Sequence, residues 1–214
     1  MKKIKEKRRN WKINVSLAVV AMLILPSSSM LIDNSMSTGE DISEVSIDNG
    51  TFGGITIYVD DSNTAGPWNG TIDYPYQYIQ DGIDNATAGD TIVVNDGTYS
   101  EDLVIGKTDL TIKSVNGYVT TIIDTQGTSP GVEIQGYGLT LGSVGEGFTF
   151  KGSSPHLISL PNNPYGVVIS YCYFDLTGAP TQAIDCAEAS LNNLTVDSCS
   201  FLSAEGGRVR HIRI

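Results

Sequence analysis

A parallel β-solenoid closed at one end by a short helix is the fold this sequence predicts, and three observations carry it. From residue 55 onward, short β-branched bursts follow one another, separated by Gly, Asn, Asp or Pro. The bursts repeat. Set over LTVDSCSF (194–201), VVISYCYF (167–174) brings Val167, Ile169, Cys172 and Phe174 onto Leu194, Val196, Cys199 and Phe201, a shift of 27; a shift back of 24 puts Phe150 in the place of Phe174 and Phe148 in that of Cys172. One helical segment precedes the first strands, with Ile79, Ile83 and Ala86 at intervals of four and three before Ala88-Gly89-Asp90 breaks it.

The chain begins with a distinct region. Residues 1–12 hold seven basic side chains and one acidic one, residues 13–25 are an apolar run, and Ser27, Ser28 and Ser29 follow. A basic start, an apolar stretch of that length and small residues after it describe an export signal. Residues 13–32 are also long enough, at 20 residues, to remain as a membrane anchor. Residues 1–29 are therefore read as signal peptide or anchor, and both readings place the rest of the chain outside the cytoplasm. Residues 30–54 are polar, rich in Ser, Asp and Gly and without periodicity, as expected of a flexible spacer.

The folded domain is expected over residues 55–207. Its strands read ITIYV, TIVV, DLVI, LTI, TTIID, GVEI, GLTL, GFTF, GVVIS and LTV. Residues i and i+2 share a strand face, so Val167 and Ile169 point inward together with Cys172 and Phe174 only if the chain bends at Ser170-Tyr171. Two strands joined by such a bend, recurring every 24–27 residues, make a solenoid wall. Its coils lie about 4.8 Å apart, so Cys stacks on Cys and Phe on Phe. An open end of the stack exposes core and unpaired backbone, and the helix over 79–86 is placed to cap it. After 195 residues without arginine, Arg208, Arg210 and Arg213 arrive in RVRHIRI. Residues 208–214 are set apart as a basic tail or non-native end, with the domain expected to be cut short before them.

Composition limits the function. Residues 13–207 carry three lysines against 23 Asp and Glu. Such a surface repels nucleic-acid phosphates and anionic lipid, attracts cations and favours solubility. Three cysteines, Cys172, Cys186 and Cys199, leave at least one unpaired and do not make a disulfide scaffold.

Candidate sites cluster before the helix. Asp60, Asp61, Asn63 and Asp73 bring several oxygens suited to Ca²⁺ into one loop, although these residue types also build turns. Trp68, Tyr74 and Tyr76, with Tyr78 beside them, can stack on sugar rings or pack the helix onto the first coil. Asn49, Asn69, Asn85 and Asn193 each open an N-x-Thr glycosylation sequon. No catalytic residue and no other metal site emerges. His156 has no ligand partner at metal spacing, and Glu101 and Asp102 are adjacent and so face opposite ways. Glu133 and Glu146 are the two carboxylates able to approach each other across a coil.

The segment YIQDGIDNATAGDTIVVNDGTYSEDLVI, followed by LTIKSVNGYVTTIID and preceded by IYVDDSNTAGPWNGTIDYPYQ, resembles the N-terminal cap and first coil of the pectin lyase-like superfamily. The closest likeness is to exported surface proteins of archaea and bacteria with NosD-like or pectate-lyase-like repeats. The resemblance spans roughly residues 55–205 and implies an all-β, right-handed parallel β-helix. It does not imply an activity, because that fold hosts lyases, hydrolases, adhesins and binding modules alike. The Arg or Lys base of pectate lyases has no counterpart in a body without arginine. The NTD and GHG motifs of polygalacturonases are absent, and the one DD, Asp60-Asp61, precedes the first coil. Pectinesterases share the GTY-x-E turn (Gly97, Thr98, Tyr99, Glu101), which is structural in them, but not their catalytic Asp pair. The expectation is an exported cell-surface glycoprotein module, structural or carbohydrate-binding, rather than an enzyme. Its partners would be surface polysaccharide or other surface proteins, with membrane contact only through the N-terminal segment. The alternative is a fragment of a polysaccharide lyase or hydrolase whose active coils lie past residue 214.

Overall fold

Strand faces follow directly from alternation. In TIVV, Ile92 and Val94 are buried while Thr91 and Val93 are partly exposed; in TIIDT, Ile123 is buried between the partly exposed Ile122 and Asp124. The computed structural model describes residues 53–127, 130–162, 164–178, 180–186, 193–203 and 210–213, the last by backbone alone. The expected signal or anchor, nearly all of the spacer and the Asn49 sequon lie outside the described residues. No helix among those described is long and apolar enough to cross a membrane.

The strands form three parallel sheets that wind into a β-solenoid of about four turns. The first sheet holds β1 (Thr56–Val59), β2 (Thr91–Val94), β5 (Thr111–Ser114), β8 (Thr140–Leu141), β11 (Val168–Ser170) and β14 (Thr195–Asp197), in that order. The second holds β3 (Gly97–Tyr99), β6 (Thr121–Thr125), β9 (Thr149–Gly152), β12 (Tyr173–Leu176) and β15 (Ser200–Ser203). The third holds β4 (Leu103–Ile105), β7 (Val132–Ile134), β10 (His156–Ser159), β13 (Gln182–Asp185) and β16 (Arg210–Arg213). Each full coil thus has three strands, where the sequence suggested two. The third wall takes in DLVI and GVEI, both expected as strands, together with HLIS and QAID, in which three consecutive residues are buried and the alternation that marks a strand is lost.

The expected register is present. Phe174 pairs with Phe150 and Phe201, and the three rings stack at 5.3 and 5.0 Å between centroids. Arg210–Arg213, set apart from the domain on composition, pair in parallel with β13, Ile184 opposite Ile212. The arginines signalled a change of composition, but backbone pairing does not depend on it.

One residue per coil turns the corner into the first sheet with left-handed backbone. Gly89, Asp109, Gly138, Gly166 and Asn193 have φ of 91°, 54°, 68°, 68° and 63°, and each stands two residues before the strand position at which Thr91, Thr111, Thr140, Val168 and Thr195 pair. Glycine fills three of the five because only a residue without Cβ takes this conformation freely, and Asn and Asp are the next most tolerant.

Helix α1 (Ile79–Asn85) covers the start of the stack. Ile79, Gly82 and Ile83 are buried against the first coils. Gly82 lets the helix sit close to β1, since a Cβ there would lie 3.0 Å from Val59 Cγ2 and that side chain would have to give. The helix has no side-chain cap at Tyr78; the Glu101 carboxylate instead accepts the Ile79 and Gln80 N–H groups at 2.8 and 3.1 Å. The helix is therefore tied to the GTY-x-E turn in the manner expected of a cap.

Candidate functional site

The second sheet presents an outward strip that alternates with its buried ladder. Tyr99, Ile123, Phe150 and Phe174 point into the core. Between them, facing out, run Thr98, Ile122, Thr149, Tyr173 and Ser200 in one row, paired strand to strand. One step further along each strand come Asp124, Lys151 and Asp175, also in register. Five strands at about 4.8 Å give the strip a length of about 19 Å along the solenoid axis.

Two clefts open on this face. The first, about 380 Å³, is lined by Asp61, Gln77, Tyr78, Thr98, Tyr99 and Ser100. It joins the loop before α1 to β3. Asp61 Oδ2 accepts the Thr98 N–H at 3.1 Å, and the Tyr99 hydroxyl accepts the Asp61 N–H at 3.3 Å while donating to Asn95 O at 3.0 Å. This clasp needs Gly97, because a Cβ there would meet the Asp61 carboxylate at 2.5 Å. Burial pushes the Tyr99 phenol up beyond its ordinary range, and the nearby Asp61, Asp60 and Glu101 carboxylates add to this although the Asp61 N–H opposes it; the hydroxyl is a fixed hydrogen-bonding group rather than an acid or base. The second cleft, about 190 Å³, is lined by Asp124, Lys151, Gly152, Asp175, Thr177 and Gly178. Lys151 Nζ stands 3.6 Å from Asp124 Oδ2, and Asp175 Oδ1 accepts the Thr177 N–H and hydroxyl at 2.9 and 2.6 Å.

Aromatic rings flank the strip. Tyr118 stacks on Tyr173 with centroids 5.7 Å apart, and Tyr78 is about half exposed at the first cleft. The sequence reading did not single out Asp124, Lys151 or Asp175. The signal was available, since each follows directly on a residue of the buried ladder: Ile123, Phe150, Phe174.

The residues picked from sequence are only partly brought together. Asp60 Oδ1 accepts the Ser62 N–H and hydroxyl, and Oδ2 accepts Asn95 Nδ2 at 2.8 Å. Burial would raise its pKa, but these hydrogen bonds outweigh burial and hold it below the ordinary value. Asn63 Nδ2 donates to Pro75 O at 2.7 Å, and Asp61 faces the first cleft. Asp73 is exposed, and among the described residues no three His, Cys, Asp or Glu side chains group as a metal site. Trp68 and Tyr74 are about half exposed, with Trp68 Nε1 donating to Asn63 O at 2.7 Å, whereas Tyr76 packs against the core. Asn69, Asn85 and Asn193 are exposed.

The carboxylates weighed as catalytic pairs are engaged apart. Glu101 holds the helix, while Asp102 accepts the Gln126 N–H at 2.9 Å. Glu133 accepts Gln135 Nε2, and Glu146 pairs with Lys113 at 3.0 Å and accepts the Ser143 hydroxyl. The Ser143 and Lys113 hydrogen bonds hold Glu146 below the usual carboxylate range. The coil register gives His156 neighbours that linear spacing did not reveal: its Nδ1 lies 2.9 Å from Gln182 Oε1 and 3.4 Å from Asp185 Oδ2.

Comparison with protein-family models, with curated proteins and with solved structures finds no match for this chain.

Proposed function

We propose that this chain is an exported β-solenoid of the right-handed, pectin lyase-like type that binds polysaccharide at the cell surface, with the glycan lying along the outward strip of the second sheet. The alignment of two clefts with the mixed Thr98–Ser200 row and the charged Asp124–Lys151–Asp175 row on one face of the stack carries this reading. A strand spacing of about 4.8 Å is close to the repeat of an extended pyranose chain, so successive coils can offer equivalent contacts to successive sugars. The Tyr78 ring and the Tyr118–Tyr173 stack supply apolar faces, and Asp61, Thr98, Asp124, Lys151 and Asp175 supply donors and acceptors for hydroxyls. Charge argues for a neutral glycan over a polyuronate, since 23 carboxylates against three lysines in residues 13–207 oppose a polyanion. The capping helix held by the GTY-x-E turn supports the family assignment, and right-handed winding is the general rule for parallel crossovers. The basic and apolar N-terminal segment supports export.

Calorimetric titration of the protein with a neutral β-linked hexasaccharide tests the reading. Binding is expected, with Tyr78→Ala and Asp175→Asn each weakening it about tenfold, the equivalent of about 1.4 kcal/mol. Equal affinity in both variants and the wild type would remove the strip from the account.

A second reading rests on Asp124 and Asp175. Their strands lie two coils apart, about 9.6 Å, just beyond the roughly 6.5–9.5 Å carboxyl separation of inverting glycosidases. Release of reducing ends from the same hexasaccharide, abolished by Asp175→Asn, would favour hydrolysis over binding.

A further inference from the structure

We propose that Cys172 and Cys199 are a redox-active pair, in which the half-buried Cys199 thiol reacts with a hydroperoxide and the buried Cys172 thiol resolves the product as a disulfide between coils. The pairing of Ser170 with Asp197 and of Tyr173 with Ser200 puts both cysteines at the same corner of consecutive coils. The backbone before each has the same left-handed turn, at Tyr171 (φ 55°) and Ser198 (φ 51°). The side chains adopt matching directions: Cys172 Sγ lies 3.2 Å from Ser170 O, and Cys199 Sγ lies 3.3 Å from Asp197 O. Cys199 Sγ also reaches back to 3.6 Å from Ile169 O, on the coil that carries Cys172. A coil spacing of about 4.8 Å falls within the roughly 4.4–6.8 Å Cα separation that a disulfide bridges.

The two thiols are unequal, as an attacking and a resolving thiol must be. Cys172 is 1 % exposed, whereas Cys199 is only partly buried. The Cys172 thiol on the neighbouring coil favours the Cys199 thiolate, bringing Cys199 down to about 7 against the opposing effects of burial and the Asp197 carboxylate. The same proximity, reinforced by burial, raises Cys172. Cys186 lies apart on the third wall, buried and pushed up to about 11, first by burial and then by Asp185.

The chemistry balances with one hydroperoxide. The Cys199 thiolate attacks the terminal peroxide oxygen, the O–O bond breaks, and the alkoxide or hydroxide released takes up the proton that Cys199 lost. Cys199 is then a sulfenic acid. The Cys172 sulfur attacks the Cys199 sulfur, the S–O bond breaks, and hydroxide leaves with the Cys172 proton as water. Two thiols are oxidised to one disulfide, and the peroxide is reduced to an alcohol, or to water when the oxidant is hydrogen peroxide, with one further water released.

Peptide mapping of the full protein after treatment with hydrogen peroxide, without reductant, tests this. The expected product is a linked Cys172–Cys199 peptide pair lighter by two hydrogens, with Cys186 still a thiol. In Cys172→Ser, Cys199 is expected to accumulate as sulfenic acid and to be trapped by dimedone. The initial oxidation rate should rise about tenfold from pH 6 to pH 8, following a thiolate with a pKa near 7. A wild-type Cys199 that remains a thiol, that stops at the sulfenic acid, or that oxidises no faster than Cys186 would overturn the proposal. The wild-type map decides it even if the variant fails to fold.

Discussion

At the scale of single residues, Glu101 shows how one side chain can hold an element and carry a cost. Its carboxylate takes the two helix N–H groups that Tyr78 leaves without a cap, yet burial raises its pKa above the ordinary value while those two hydrogen bonds pull the other way. Glu101→Ala should cost about 1–2 kcal/mol, the scale of a lost N-cap, measured by urea unfolding. The pH trend has a definite sign. A carboxyl whose folded pKa lies above its unfolded value destabilises the fold as it ionises, so the wild type loses this increment as pH rises from the ordinary carboxylate range through the raised value. The alanine variant does not. The gap between the two should therefore narrow as pH rises through that window, and a gap that widened would mean that the ionised cap is the preferred state. The role of Glu101 as part of the GTY-x-E turn was visible in the sequence, but its bond to the helix was not, because 22 residues separate it from Ile79.

At the scale of elements, the left-handed corner that recurs on every coil sets the path of the chain. Gly166 separates conformation from packing, because a Cβ there would meet nothing nearer than 3.7 Å. Gly166→Ala should therefore cost about 1–2 kcal/mol through backbone strain alone, read as a lower urea midpoint with an unchanged slope. A neutral result would show that the corner relaxes. The sequence revealed the helix, the first and second sheets and the Phe ladder, because these elements alternate or repeat like residues. It showed DLVI and GVEI of the third sheet but hid His156–Ser159 and Gln182–Asp185, where consecutive residues are buried. It also obscured Arg210–Arg213, where a change of composition masked continued pairing. Corners were legible as the Gly, Asn and Asp that punctuate the bursts, but the left-handed backbone of Asp109 at φ 54° was not.

At the scale of the whole molecule, stacking turns a local choice of residue into a row, and a row can become a surface. Phe150, Phe174 and Phe201 do this on the inside of the second sheet; Asp124, Lys151 and Asp175 do it on the outside. The Ca²⁺ loop and the sugar-stacking residues chosen from sequence were chemically reasonable, yet most were placed by linear proximity. The coil register instead joins Asp61 and Tyr78 to β3 and aligns a second cleft with the first. Only the register shows this, because the residues concerned lie dozens of positions apart. The central claim is that a neutral glycan lies along that face, over about 19 Å of stacked strands. The direct measurement is the affinity of the protein for a neutral β-linked oligosaccharide series from two to six sugars. The account predicts that affinity rises with each added sugar to about four or five, the number of coil spacings the strip covers, and is flat beyond. Affinity independent of length, or no binding at any length, would contradict it.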